Sequence, residues 1–283
     1  MAYTLYYRNF MRNCNYKCSY CPFAKVIANE KSIKRDKEYF NKFIQFIGAS
    51  SKEFKIFFAP KGEILIHEYY KEGLIYLSSL KNVKEIVVQT NLSGSLNWLK
   101  NCNREKLILW TTYHPKEVDA LSFFSRVKEL VNYNIPFTVG TVGTKENFIK
   151  IEEMGKLLSD LGNKKPYYWI NAFKDKNNYY NDKDIEFLKK FDSLFEINLE
   201  NYKSKNLECR AGENVYLVEW NGNLNSCWQD KRKLGNLYKD DLDDISTTTY
   251  CNKQICGCFI GYNHIKSLKL EEVYKTSLIG RIP

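Results

Sequence analysis

Histidine is scarce in this chain and long apolar runs are missing. Only three of the 283 residues are His, and the nearest to the cysteine-rich stretch at residues 14–21, His67, lies well downstream of it. No stretch approaches the roughly 20 apolar residues that a spanning helix needs, so a membrane helix is excluded. The opening Met1-Ala-Tyr-Thr-Leu-Tyr-Tyr-Arg has no apolar core and does not read as a signal peptide. Without export, nine cysteines do not read as a disulfide framework but as metal or redox residues in a reducing cytoplasm. Repeats and low-complexity segments are absent. Basic residues outnumber acidic ones by 43 to 33, a net charge of +10. The densest basic stretches, 31–37 and 231–233, are short and carry no interleaved aromatics for stacking on bases. They read as solvated helix faces, and nucleic acid is not the expected partner.

The remainder is ordinary for a globular protein, with 44% apolar and 27% charged residues. The length suits one large domain, or one domain with a small appendage. The cysteines fall into two groups, Cys14, Cys18 and Cys21 early and Cys209, Cys227, Cys251, Cys256 and Cys258 late. Cys102 stands alone in a polar connector and reads as an incidental thiol.

Apolar β-rich runs predict strands at 4–10, 54–60, 85–90, 106–113, 136–142 and 167–173. Amphipathic stretches at 36–46, 67–80, 117–133 and 146–161 lie between them. Alternating strands and helices imply parallel strands with right-handed crossovers. About six such units predict an α/β fold with a partial (β/α)6 TIM-like barrel, whose chemistry collects at the C-terminal strand ends. The first cysteine loop follows the first strand, so it belongs at that end. A second region is predicted to begin near Asp182, dividing the chain into 1–181 and 182–283. It contains a hairpin, 215–220 and 223–224, turning at Asn221-Gly222, where both corner residues are expected to take positive φ.

Cys14, Cys18 and Cys21 give the spacing C-x3-C-x2-C, with Tyr20 just before the last thiol. Iron–sulfur clusters are normally held by four Cys, so three close thiolates leave one iron of a four-iron cube open to a small molecule. The alternative, a zinc knuckle, usually pairs two C-x2-C hooks or adds His.

The pattern closely resembles the cluster loop of the radical S-adenosylmethionine (SAM) superfamily. The resemblance implies a [4Fe–4S] cluster on these three thiolates, with SAM chelated at the open iron and cleaved to a 5'-deoxyadenosyl radical. Further stretches fit the superfamily's SAM pocket in order along the chain. Gly62-Glu63 stands where it has Gly-Gly-Glu for the SAM amino group, with Lys61 replacing the first Gly. Gln89, Thr90 and Asn91 end the third strand. Thr112 falls at the position of a ribose-binding hydroxyl, with His114 beside it. Gly143 and Glu146 keep half of the adenine-side motif, while Val139 replaces its first Gly. Strand ends are rich in Gly and Thr in any case.

Cys209, twelve residues, Gly222, four residues and Cys227 resemble the opening of the auxiliary-cluster domains joined to many radical SAM enzymes. The larger form, SPASM, holds two auxiliary clusters. Five late cysteines resemble the smaller "twitch" form, a β-hairpin plus helix with one auxiliary [4Fe–4S] cluster. Its ligands are expected to be Cys209, Cys227, Cys256 and Cys258, with Cys251 as the alternative; a four-cysteine zinc site is the bland reading. His67 is expected at the surface and His264 near the second cluster, each as a structural His.

The resemblance implies a cytoplasmic enzyme that abstracts hydrogen from its substrate in a net oxidation, with the auxiliary cluster accepting the electron. An electron donor such as flavodoxin or ferredoxin is implied as a partner. Two substrate classes compete, a small polar molecule and a ribosomally made peptide. With the cluster loop starting at residue 14, no leader-binding domain is expected ahead of it, which favours a small molecule or a short peptide delivered by a partner. A non-catalytic iron–sulfur or zinc-binding module is the non-enzyme alternative.

Overall fold

The computed structural model describes residues 2–21, 23, 26–174, 178–230 and 232–283. Pro22, Ala24, Lys25 and Lys231, which belong to the motif and the basic stretch above, lie outside the described residues. The first half alternates as expected: β1 (Ala2–Arg8), α1 (Glu30–Ala49), β2 (Glu53–Phe58), α2 (Glu68–Ser79), β3 (Val83–Thr90), β4 (Leu107–Tyr113), α3 (Ala120–Tyr133), β5 (Phe137–Val142), α4 (Phe148–Ser159) and β6 (Tyr168–Asn171). β1 to β6 pair in sequence order, all parallel.

Side chains alternate across the sheet. Leu5, Tyr7, Ile56, Phe58, Ile86, Val88, Leu109 and Val139 join a core with Phe40, Phe43, Leu74 and Val127 of the covering helices. Tyr6, Phe57, Val87, Ile108, Trp110 and Trp169 face the other way, into the barrel lumen. The period-2 alternation of both sets is what fixes the strand faces.

Helix α1 starts six residues before the expected stretch because Asn29 and Ser32 form a capping box. Helix α3 starts later than expected, at Ala120, because Asp119 caps Ser122 N–H.

The chain continues through α5 (Asp182–Lys189), α6 (Phe195–Leu199), β7 (Tyr202–Lys203), β8 (Glu208–Cys209), β9 (Val215–Glu219), β10 (Asn223–Asn225), β11 (Lys233–Asn236), α7 (Leu242–Ile245), β12 (Thr249–Tyr250), β13 (Ile255–Cys256) and α8 (Phe259–Tyr262). Asn198 Nδ2 donates to Ile170 O, and Asp192 accepts from Ile170 N–H at 2.8 Å, so this stretch is bound to β6. β9 then pairs in parallel with β1, and β10 and β11 follow antiparallel. The result is one nine-stranded sheet in the order β11-β10-β9-β1-β2-β3-β4-β5-β6.

The hairpin turn differs in detail from the expectation. Gly222 N–H donates to Glu219 O at 2.8 Å, and of the Asn221-Gly222 pair only Gly222 has positive φ, +86°. A Cβ there would also meet the Tyr238 ring at 2.4 Å, so Gly answers two demands at once.

The C-terminal segment fills the lumen from below. Tyr274, Ile279 and Ile265 pack in the inner cluster with Ile108 and Trp110, and Ser277 donates a hydrogen bond to Glu85 of β3. Among the described residues, no helix is long and apolar enough to cross a membrane.

Candidate active site

The cysteine loop leaves β1 and crosses the C-terminal mouth of the barrel. Its entry is anchored by Asp36, a fully buried carboxylate of α1 that the sequence analysis did not single out. Asp36 accepts from Phe10 N–H at 2.8 Å and Met11 N–H at 2.9 Å, and from the hydroxyls of Tyr69 and Tyr70 at 2.7 and 2.8 Å. A signal was available: Asp36 shares the stripe of Phe40, Phe43 and Ile47, an acid on an otherwise apolar helix face.

Asn13 O accepts from Glu63 N–H at 2.9 Å. A Cβ on Gly62 would stand 1.8 Å from that same oxygen. Gly62 therefore serves the close approach of two backbones, the cysteine loop and the turn after β2.

Cys14 Sγ lies 3.8 Å from Asn91 Nδ2 and 3.4 Å from Tyr16 N. Cys18 Sγ and the Tyr20 hydroxyl lie 3.4 and 2.8 Å from His114 Nδ1. Burial pushes the Cys14 thiol up and the Cys18 thiol to about 11, and it pushes His114 down to about 4. With protein alone around them these groups are neutral, and positive charge from a metal cluster is what would draw the thiols into the thiolate form.

A cavity of about 500 Å³ occupies the barrel mouth, bordered by Cys14, Cys18 and Cys21. Gly62, Glu63, Gln89, Thr90, Asn91, Thr112 and His114 also border it. Glu63 is 2% exposed and accepts from Thr90 Oγ1 at 3.0 Å, Asn91 N–H at 2.5 Å and Leu65 N–H at 3.0 Å. Burial still raises its carboxyl to about 7, against the pull of those donors. Thr112 Oγ1 is buried on the cavity wall and has no hydrogen-bond partner among the described residues.

Two expected pocket residues are not there. Glu146 is exposed and pairs with Lys116 at 2.5 Å, because the turn after β5 carries it outward into α4. Gly143 is held by backbone bonds with Asn171 and by the Tyr180 hydroxyl, and it does not border the cavity.

The late cysteines lie near one another, and Cys258 also borders the barrel cavity. β8 and β12 pair Cys209 with Thr249, which brings Cys251 alongside. Besides burial, Cys209 feels the charges of Cys227 and Cys251, Cys227 feels Cys251, and Cys256 feels Cys258, Cys227 and Cys251. Cys258 lies among the charges of Arg8, Lys174 and Arg281. Cys251 and Cys258 both stand close enough to Cys256 to act on its thiol.

His264 is buried near this group, with Nε2 2.7 Å from the Tyr6 hydroxyl. His67 is half-buried at the start of α2, 3.4 Å from Asn13 Nδ2, not a free surface residue. Cys102 is likewise buried in the core rather than in an open connector. Among the described residues, no three or more His, Cys, Asp and Glu are drawn together as the shell of a single metal ion.

Residues 209–274 match the SPASM family, an iron-sulfur cluster-binding domain. No curated protein sequence matches the chain at a significant level. Among solved structures, the chain is similar to anSMEcpe with bound AdoMet (SAM) and a Kp18Cys peptide, at 16% identity and a TM-score of 0.56, covering 87% of this chain and 81% of that one. It is also similar to SuiB of Streptococcus suis bound to S-adenosylmethionine, at 16% identity and a TM-score of 0.54, covering 86% of this chain and 65% of that one. The chain shares the fold of these two SAM-bound proteins, and its residues 209–274 match an iron–sulfur cluster-binding domain.

Proposed function

We propose that this protein is a radical SAM enzyme that oxidises a small molecule held in the barrel cavity. The carrying observation is that the three early thiols, the strand-end residues and Cys258 of the C-terminal domain all border one cavity. The donor set fits the implied groups: Cys14, Cys18 and Cys21 would hold a [4Fe–4S] cluster with SAM, and the unpartnered Thr112 hydroxyl suits a ribose oxygen. When bound, that pair supplies a 5'-deoxyadenosyl radical that takes hydrogen from the substrate. Cys209, Cys227, Cys251 and Cys256 would hold an auxiliary [4Fe–4S] cluster, which supplies a place for the substrate's second electron.

The chain's own residues position and exclude. Tyr20 and His114 fix the loop against β4, Glu63 and Gly62 lock the turn beneath it, and Trp110, Trp169 and Phe259 form an apolar floor that keeps water from a reactive radical. A cavity of about 500 Å³ that also takes SAM leaves room for a small molecule or a single peptide residue. A second reading, modification of one residue of a peptide, is favoured by the peptide seen in the similar anSMEcpe structure. Anaerobic reconstitution tests the proposal. About eight irons per chain with 5'-deoxyadenosine formed on reduction supports it; bound zinc and no cleavage would instead make the protein a binding module. Screening metabolites and peptides for 5'-deoxyadenosine above the uncoupled background separates the two substrate classes.

A further inference from the structure

The cavity wall around Cys258 is cationic, and among the described residues its cations have few hydrogen-bond acceptors. Arg8, Lys174 and Arg281 all border the cavity around Cys258. Arg8 is 4% exposed, lies over the Trp228 ring, and its Nε has no hydrogen-bond partner among the described residues. Arg281 is 0% exposed, sits 4.7 Å from the centre of the Trp169 ring and 4.6 Å from that of Phe259, and none of its three nitrogens has a partner among the described residues. Lys174 Nζ donates to Glu200 O at 2.8 Å and Gly257 O at 3.0 Å, and among the described residues no acceptor takes its third N–H.

Among the described residues, Glu219 acts on Arg8, Asp192 on Arg281 and Glu200 on Lys174, but none of the three hydrogen-bonds the cation it acts on through its carboxylate. Glu219 pairs with Lys61 at 3.5 Å. Asp192 is taken up by the Tyr167 hydroxyl and by the N–H groups of Ile170 and Leu194. Glu63, the one carboxylate bordering the cavity among the described residues, is turned into Thr90 and Asn91.

Burying cations without acceptors is costly unless a partner arrives. SAM does not fit the deficit, since its sulfonium gives it a net positive charge. We propose that the substrate carries an oxyanion, a carboxylate or a phosphate, and that this group seats between Arg8 and Lys174 with the buried charge of Arg281 behind it. This rests on the cavity being the substrate chamber. A guanidinium and an ammonium converging on one side suit an oxyanion with several acceptor oxygens, by charge-assisted hydrogen bonds. Seated there, the anion would fix the orientation of the substrate relative to the cysteine loop.

The test uses full-length protein with both clusters reconstituted and SAM at saturation. Inorganic phosphate and, separately, malonate are titrated in by calorimetry, with ionic strength held constant by chloride. Saturable binding of either oxyanion, weakened about tenfold in Arg8→Gln and in Lys174→Met, supports the proposal, and the anion that binds identifies the group. If Arg8→Gln melts far below the wild type, Lys174→Met decides alone. No saturable binding to the wild type, or variants that bind like it, overturns the proposal. Binding that is present without SAM and abolished by SAM would assign the cations to the SAM carboxylate, and overturns it as well. 5'-Deoxyadenosine formation by the same preparation is scored separately, so a failure of the radical SAM reading is distinguishable from a failure of the anion site.

Discussion

The Tyr20 hydroxyl stands 2.8 Å from His114 Nδ1, joining the cysteine loop to the end of β4. Tyr20 precedes Cys21, and Cys18 Sγ reaches the same nitrogen at 3.4 Å. One imidazole therefore holds the C-x2-C half of the loop, residues 18–21, against the end of β4. Burial keeps His114 near a pKa of 4, so it is neutral at physiological pH and acts by position rather than as an acid.

Replacing His114 by Ala should leave the three thiols in place but free the loop. Loss of iron from the N-terminal site to a chelator should quicken roughly tenfold, the usual scale for removing a group that orients metal ligands. His114→Gln, which keeps a polar group at that position, should restore most of the retention. Equal loss rates in wild type and His114→Ala would show that the contact does not hold the loop.

The barrel was legible because strand alternation repeats six times and helix periodicity four, and the cysteine loop because its spacing is chemically narrow. The extension of the sheet by β9 was not legible: Val215–Glu219 reads equally well as a free hairpin arm, and pairing it with β1 needs contacts across more than two hundred residues. Arg281 was invisible for a related reason. Nothing local in the last residues tells that they enter the lumen beside Trp169. Glu146 was misplaced because a motif fixes residue order but not which way a turn points its side chain.

Changing Cys14, Cys18 and Cys21 together to Ala should abolish SAM cleavage and leave a folded chain with about four irons, one cluster. The two cysteine groups have separate anchors, Asp36 and Gly62 for the first and the β8–β12 pairing for the second. 5'-Deoxyadenosine formed by the triple variant would refute the assignment.

Cys251 and Cys258 make a paired test. The Cys251→Ala variant should lose the auxiliary cluster, seen as a fall of about four irons and the matching Mössbauer signal, because its thiol neighbours Cys209, Cys227 and Cys256. The Cys258→Ala variant should keep both clusters, since that thiol borders the barrel cavity. The opposite result would restore Cys258 as a ligand and remove Cys251.

Thr112→Val keeps the side-chain shape and removes only a hydroxyl that lacks a partner. Thermal stability without SAM should hold or rise slightly, because an unsatisfied buried group is lost, while SAM binding weakens about tenfold, the worth of roughly one hydrogen bond. Unchanged SAM affinity measured by calorimetry would take the ribose away from the end of β4.

Glu63 gives a pH dependence whose sign is fixed by burial. Its carboxyl is raised from 4.5 to about 7 in the folded protein, first by desolvation, while the N–H groups of Asn91 and Leu65 pull the other way. Between those values the folded state holds a proton that the unfolded chain has released, so stability falls as pH rises through this window and levels off above it. The full effect is at most about 3 kcal/mol. Glu63→Gln cannot titrate, and it should flatten the melting curve between about pH 5 and pH 7 relative to wild type, whatever it costs in lost acceptors at any single pH. Differential scanning calorimetry of the SAM-free protein across that range checks it. Parallel curves for the two proteins would mean that Glu63 stays ionised when folded, its charge carried by the donors of the β3 turn.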